Sequence, residues 1–88
     1  MRAAKVDLNQ KEIVKRLRDA GYSVLLLHAV HGGCPDILVG KDGKNWLFEI
    51  KSHNGKLTPK QVEFFDSWGG QAAVARSFEQ IAEAIDDS

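Results

Sequence analysis

GCPDILVGKDGKNWLFEIK, residues 33–51, is the stretch that decides the fold. Two runs that favour strands, 36–40 and 45–52, flank Lys41-Asp42-Gly43-Lys44, and an Asp-Gly pair between such runs is the strongest short-range signal of a β-hairpin. The second run alternates. Trp46, Phe48 and Ile50 fall on one face of a strand, and Leu47, Glu49 and Lys51 on the other. Asp36 opens the first run directly after a proline, so a hairpin closed at Asp42-Gly43 brings it toward Glu49 and Lys51.

Upstream, Ile13, Val14, Leu17 and Ala20 recur at helical spacing and predict a helix over 9–20. Asn9 followed by Glu12 has the form of a capping box, and Gly21 is a suitable stop. Residues 22–28 form a β-rich apolar run, expected as a buried strand. The turn-forming loop 31–35 follows, in which Gly32-Gly33 permits a turn or a close backbone approach. Downstream of the hairpin, Thr58-Pro59-Lys60-Gln61 starts a helix, with Thr58 as N-cap, proline in the first turn and Gln61 completing the box. It runs to about Trp68, with Val62, Phe65 and Trp68 at helical spacing, and ends at Gly69-Gly70. Residues 71–76 read as a strand, and Ser77 caps a last helix through Ile85.

The order is therefore α-β-β-β-α-β-α. The strand–helix–strand unit at 45–76 implies a parallel pair, and the hairpin an antiparallel one. An α/β domain with a mixed four-stranded sheet flanked by helices is expected over 7–88, preceded by a loose arm at 1–6.

With 88 residues, one domain is expected, burying ~60–65% of the surface its unfolded form exposes. So small a core is readily enlarged by oligomerisation. No apolar run approaches the ~18–20 residues of a membrane span, and no long apolar stretch follows the N-terminal basic residues, so neither membrane insertion nor secretion is expected. Cys34 is the single cysteine, which excludes an internal disulfide and fits a reducing cytoplasm. Lys plus Arg equals Asp plus Glu, twelve each, so bulk charge does not mark a nucleic-acid coat; a nucleic-acid function has to rest on a site.

That site is Asp36, Glu49 and Lys51. Two neighbouring carboxylates repel unless a proton or cation sits between them. Mg²⁺ suits a site of one or two carboxylates and keeps several waters, and the Ile50 carbonyl is a third oxygen in reach. A bound divalent ion lowers the pKa of water and stabilises charge on a phosphate, while Lys51 supplies a fixed positive charge or orients the water. Phosphodiester hydrolysis needs this division of labour. His28, His31, His53 and Cys34 form no zinc set, and Cys34 reads as a small residue near the site, not a nucleophile. Lys41, Lys44, Lys56, Lys60 and Arg76 fall in loops or helix starts around the expected site, and Lys11, Lys15 and Arg18 on the exposed side of the first helix; all are possible phosphate contacts.

The string Gly33-Cys34-Pro35-Asp36, then Glu49-Ile50-Lys51, resembles the PD-(D/E)XK nuclease superfamily. With Leu57-Thr58-Pro59-Lys60-Gln61 it resembles the VRR-NUC family more narrowly, over about residues 7–85. The resemblance implies a restriction-endonuclease-like core and a Mg²⁺- or Mn²⁺-dependent DNA nuclease with no small-molecule cofactor. Stand-alone members, common in phages and bacteria, resemble Holliday-junction resolvases and tend to be homodimers, which would make two cuts. By that analogy Asp36 and Glu49 bind metal, Lys51 assists catalysis and Gln61 supports the site. Related resolvases carry a glutamate on the first helix where this chain has Gln10, which projects near the Ile13–Leu17 face while Glu12 points away. Gln10 would reach a metal through its amide oxygen or a water, Asp7 is placed to compensate, and a single tightly bound ion is expected. The rival readings are a nuclease fold that binds nucleic acid without cutting, or an accessory subunit.

Overall fold

The computed structural model describes residues 8–88; the arm expected at 1–6 and Asp7 lie outside the described residues. The elements run α1 (Leu8–Asp19), β1 (Ser23–Leu26), β2 (Ile37–Lys41), β3 (Lys44–Ile50), α2 (Pro59–Ser67), β4 (Ala72–Ala75) and α3 (Phe78–Asp86). The order matches the expectation. The strands form one mixed sheet, β1-β2-β3-β4, antiparallel across the first two pairs and parallel across β3 and β4.

Local chemistry sets the turns. Asp42 and Gly43 both take positive φ (54° and 80°), the type I′ geometry that suits a two-residue hairpin. This fixes the register Lys41↔Lys44 through Ile37↔Phe48. Gly21, at φ 94°, ends α1 in a Schellman arrangement: its N–H donates to Arg18 O at 3.1 Å, and that of Tyr22 to Leu17 O at 2.9 Å. Helix α1 is described from Leu8, which sets Asn9 within the helix, one residue past the position the sequence suggests for its cap.

One face of the sheet carries the core. Ile13, Val14 and Leu17 of α1 and Ile81 and Ile85 of α3 pack on Val24, Ile37, Val39, Phe48, Ile50 and Ala75. Both helices contact the sheet and each other. Phe48 and Ile50 thus face the core, and the alternation of β3 sends Leu47 and Glu49 to the other face, as the sequence predicts. Helix α2 meets that second face, where Gln61 reaches Glu49.

Two apolar segments are less buried than their sequences imply. β1 is an edge strand: Val24 is buried against Val39, but Leu25 and Leu26 are exposed, because among the described residues no further strand pairs with that edge. Helix α2 buries none of its residues fully, and Val62 and Trp68 remain exposed. Among the described residues, no helix is long and apolar enough to cross a membrane.

Candidate active site

Sheet direction gathers the chemistry. β1, β3 and β4 run one way and β2 the other, so one rim of the sheet collects the C-terminal ends of β1, β3 and β4 and the start of β2. Asp36 immediately precedes β2, and one step beyond the pair Ile37↔Phe48 sets it opposite Glu49. Its Oδ2 accepts the Ile50 N–H at 2.8 Å. A strand residue's carbonyl points to the same neighbour as its amide, so the Ile50 carbonyl also faces the Asp36 side.

Glu49 is 3% exposed. Its Oε2 receives Gln61 Nε2 at 3.0 Å and lies 3.4 Å from Lys51 Nζ. Its Oε1 is buried without a hydrogen-bond partner, the one such side-chain atom among the described residues. Burial, then the charge of Asp36, pushes the Glu49 carboxyl from its ordinary 4.5 up to about 7, against the opposing pull of Lys51. A buried carboxylate with an orphaned oxygen, beside a second carboxylate, is the environment a divalent cation relieves. The donors are hard oxygens, so the residues present fit Mg²⁺ or Mn²⁺. Among the described residues no three His, Cys, Asp or Glu side chains converge as a metal-binding group, so such an ion would retain water ligands.

Gln61 serves two elements at once. Its Oε1 accepts the Thr58 N–H at 2.9 Å, and its own N–H donates to Thr58 Oγ1 at 3.2 Å, completing the capping box. The first turn of α2 is pressed close to the loop before Asp36. A Cβ added to Gly33, at φ 79°, would fall 2.4 Å from the Lys60 carbonyl oxygen. The close approach expected of the glycine pair is therefore real, and it falls on Gly33.

The rim joins Asp36, Glu49, Ile50, Lys51 and Gln61. Gln10 is 8% exposed and lines a groove of about 390 Å³ between α1 and β1 with Leu26 and His28, at the β1 end of this rim. Cys34 is partly buried, and burial and the neighbouring Glu49 and Asp36 push its thiol up, against a role as thiolate. Two of the basic residues expected around the site are elsewhere. Lys41 and Lys44 flank the hairpin turn at the opposite end of the strands, Lys41 over the Tyr22 ring and Lys44 donating to the Ile85 and Ser88 carbonyls. Lys15 pairs with Asp19, and Arg18 donates to Val24 O. Arg76 is at the rim, but it donates to the Ser52 and Gly55 carbonyls. No sequence spacing announces that contact; only the register Ile50↔Ala75 places Arg76 beside the chain leaving β3.

A family model described as archaeal Holliday junction resolvase (Hjc) matches residues 2–84. Among solved structures, one described as a VRR_NUC domain superposes with a TM-score of 0.65 at 30% sequence identity, covering 88% of this chain and 89% of that one. None of the curated proteins matches the sequence.

Proposed function

The chain belongs to the archaeal Holliday junction resolvase (Hjc) family, and on that premise we propose that it is a divalent-metal-dependent endonuclease that cuts branched DNA. The observation that carries the reading is Glu49: a carboxylate buried at a sheet rim, raised to about 7, one oxygen unpartnered, with Lys51 beside the other.

Asp36, Glu49 and the Ile50 carbonyl would hold one Mg²⁺ or Mn²⁺ ion. Such an ion, when bound, supplies Lewis-acid stabilisation of charge on the phosphate and acidifies water. The remaining work belongs to the side chains. Asp36 is aimed by the Ile50 amide. Gln61 and Lys51 both engage Glu49 Oε2, which leaves Oε1 as the oxygen for the cation. Lys51, its side chain 17% exposed, keeps an ammonium at the rim to steady the phosphate's developing charge and to orient the attacking water. Among the described residues no element is shaped to read bases in the major groove, so selectivity would rest on DNA shape, as at a junction.

One rim makes one cut. A homodimer would make two, and the exposed Val62 of α2 with Trp68 at its C-cap offers apolar surface to a second copy. Such a substrate would be met in the cytoplasm of a bacterial or phage-infected cell. The second reading, a module that binds without cutting, draws on Gln10, an uncharged residue where related resolvases have a glutamate.

Labelled four-way junctions, flaps, nicked and linear duplexes, each with Mg²⁺, Mn²⁺ or chelator, test the proposal. Metal-dependent cutting of the branched substrates, lost in Lys51→Ala, is expected. Binding without cutting under every condition supports the second reading, and cutting that persists in Lys51→Ala refutes the assigned site.

A further inference from the structure

We propose that Arg76 is a positioning residue for Lys51, acting through the turn at residues 52–55. The inference rests on the reading of Lys51 as part of the cleavage site. It starts from a difficulty: a lysine side chain has about 2 kcal/mol of rotamer entropy to lose, and Lys51 sits where the chain has just left β3. One contact with Glu49 at 3.4 Å is a weak restraint on four rotatable bonds.

The second restraint is the turn that follows. Gly55 donates its N–H to Ser52 O at 3.0 Å and closes it. A Cβ built on Gly55 would lie 3.3 Å from both Cβ and Cδ of Lys51, so the glycine backs directly onto the lysine stem. Arg76 holds this turn from across the sheet, donating from Nη1 to Ser52 O and from Nη2 to Gly55 O at 3.1 Å. The planar fork suits two carbonyls that a single ammonium could not span equally. Arg76 is itself fixed. Its N–H donates to Gln80 Oε1 at 2.6 Å, and the preceding Ala75 carbonyl accepts the Lys51 N–H at 3.1 Å. The end of β4 thus grips the Lys51 backbone and, four residues on, the glycine that walls its side chain.

Three variants probe the chain of contacts. Arg76→Gln removes the fork, Arg76→Lys keeps the charge without it, and Gly55→Ala presses chiefly on the Lys51 stem, at 3.3 Å against 3.4 Å to the Ser52 nitrogen, since Gly55 has no left-handed φ to strain. Single-turnover cleavage of a four-way junction should fall roughly 10- to 100-fold in Arg76→Gln and Gly55→Ala, with junction affinity unchanged, and Arg76→Lys should restore only part of the rate. In a Lys51→Ala background Arg76→Gln should cost nothing more. Independently of activity, the Gly55 amide should exchange faster in Arg76→Gln, and the ¹³C-methyl signal of reductively methylated Lys51 should sharpen. Weaker junction binding, a salt dependence lowered by about one unit, and losses additive with Lys51→Ala would instead make Arg76 a phosphate contact and overturn the proposal. Unchanged Gly55 exchange and Lys51 line width would overturn it as well. A wild-type protein that cuts nothing refutes the nuclease reading, while those two spectroscopic measurements still decide the anchoring.

Discussion

Gln61 bridges helix and sheet: its Oε1 lies 2.9 Å from the Thr58 amide nitrogen while its Nε2 lies 3.0 Å from Glu49 Oε2. The cap fixes which end of the amide faces the carboxylate, because only the oxygen can accept from Thr58. A residue that looks like ordinary helix punctuation therefore also sets the hydrogen bonding of the buried glutamate.

The two roles separate in Gln61→Glu. A glutamate still accepts from the Thr58 amide, so the capping box survives. It cannot donate to Glu49, and it adds a like charge beside it. Cleavage should drop at least about 10-fold, and the loss of stability in urea, about 1–3 kcal/mol, comes from the lost hydrogen bond and the like charge rather than from the cap. Gln61→Ala should lose the rate and the side-chain half of the box, while its backbone N–H still donates to Thr58 Oγ1, so it should unfold about 0.5–1 kcal/mol more easily.

Adjacent glycines should respond differently. Gly32 and Gly33 both have positive φ, but an added Cβ at Gly32 meets nothing within 4 Å, whereas at Gly33 it meets the Lys60 backbone. Gly32→Ala should cost about 1–2 kcal/mol, the backbone strain alone, and keep activity. Gly33→Ala should cost about 2–4 kcal/mol and also reduce cleavage, because α2 must shift and carry Gln61 with it. Equilibrium unfolding and cleavage rates of the pair check this.

Glu49 makes stability depend on pH in a stated direction. In the unfolded chain it ionises near 4.5, and in the metal-free folded protein at about 7. Between those values the folded state holds more protons, so the stability this group contributes is fully present below about 4.5 and is lost as pH rises through about 7, at up to about 1.4 kcal/mol per pH unit. Metal-free wild type should therefore melt lower at pH 8 than at pH 5.5 relative to Glu49→Gln, which has no such proton to lose. Added Mn²⁺ should reverse the deficit in wild type only, and its affinity should rise with pH up to about 7, because binding displaces the proton. Thermal melts of both proteins with and without Mn²⁺ give the comparison.

Val62→Glu tests the surface of α2. Val62 is 43% exposed, so the substitution should change monomer stability by no more than about 0.5 kcal/mol. Sedimentation should show a dimer for wild type and a monomer for the variant, with paired cuts in a junction replaced by single nicks. A wild type that sediments only as monomer while cutting both strands contradicts the dimer.

Much of this was legible in the sequence because its signals are local. The Asp42-Gly43 turn, the alternation of β3 and the Thr58-Pro59 helix start each depend on a few adjacent residues, and together they fix the register that sets Asp36 opposite Glu49. What was misread depends on distant neighbours. The apolar run at β1 reads as buried, but its position at the sheet edge leaves Leu25 and Leu26 exposed. Lys41 and Lys44 are close in sequence to Asp36 and Glu49, yet a hairpin sends its turn to the far end of its strands. The hold of Arg76 on Ser52 and Gly55 spans 24 and 21 residues and leaves no mark in composition or spacing.

The claim beneath all of this is that Asp36 and Glu49 hold one divalent ion between them. Mn²⁺ binding followed by electron paramagnetic resonance at pH 7.5 reads it directly, on wild type, Asp36→Asn, Glu49→Gln and Lys51→Ala. One ion per chain in wild type and in Lys51→Ala, and none at the same concentration in either carboxylate variant, is the predicted result. Binding that survives unchanged in Asp36→Asn and Glu49→Gln, or none in wild type, would contradict it.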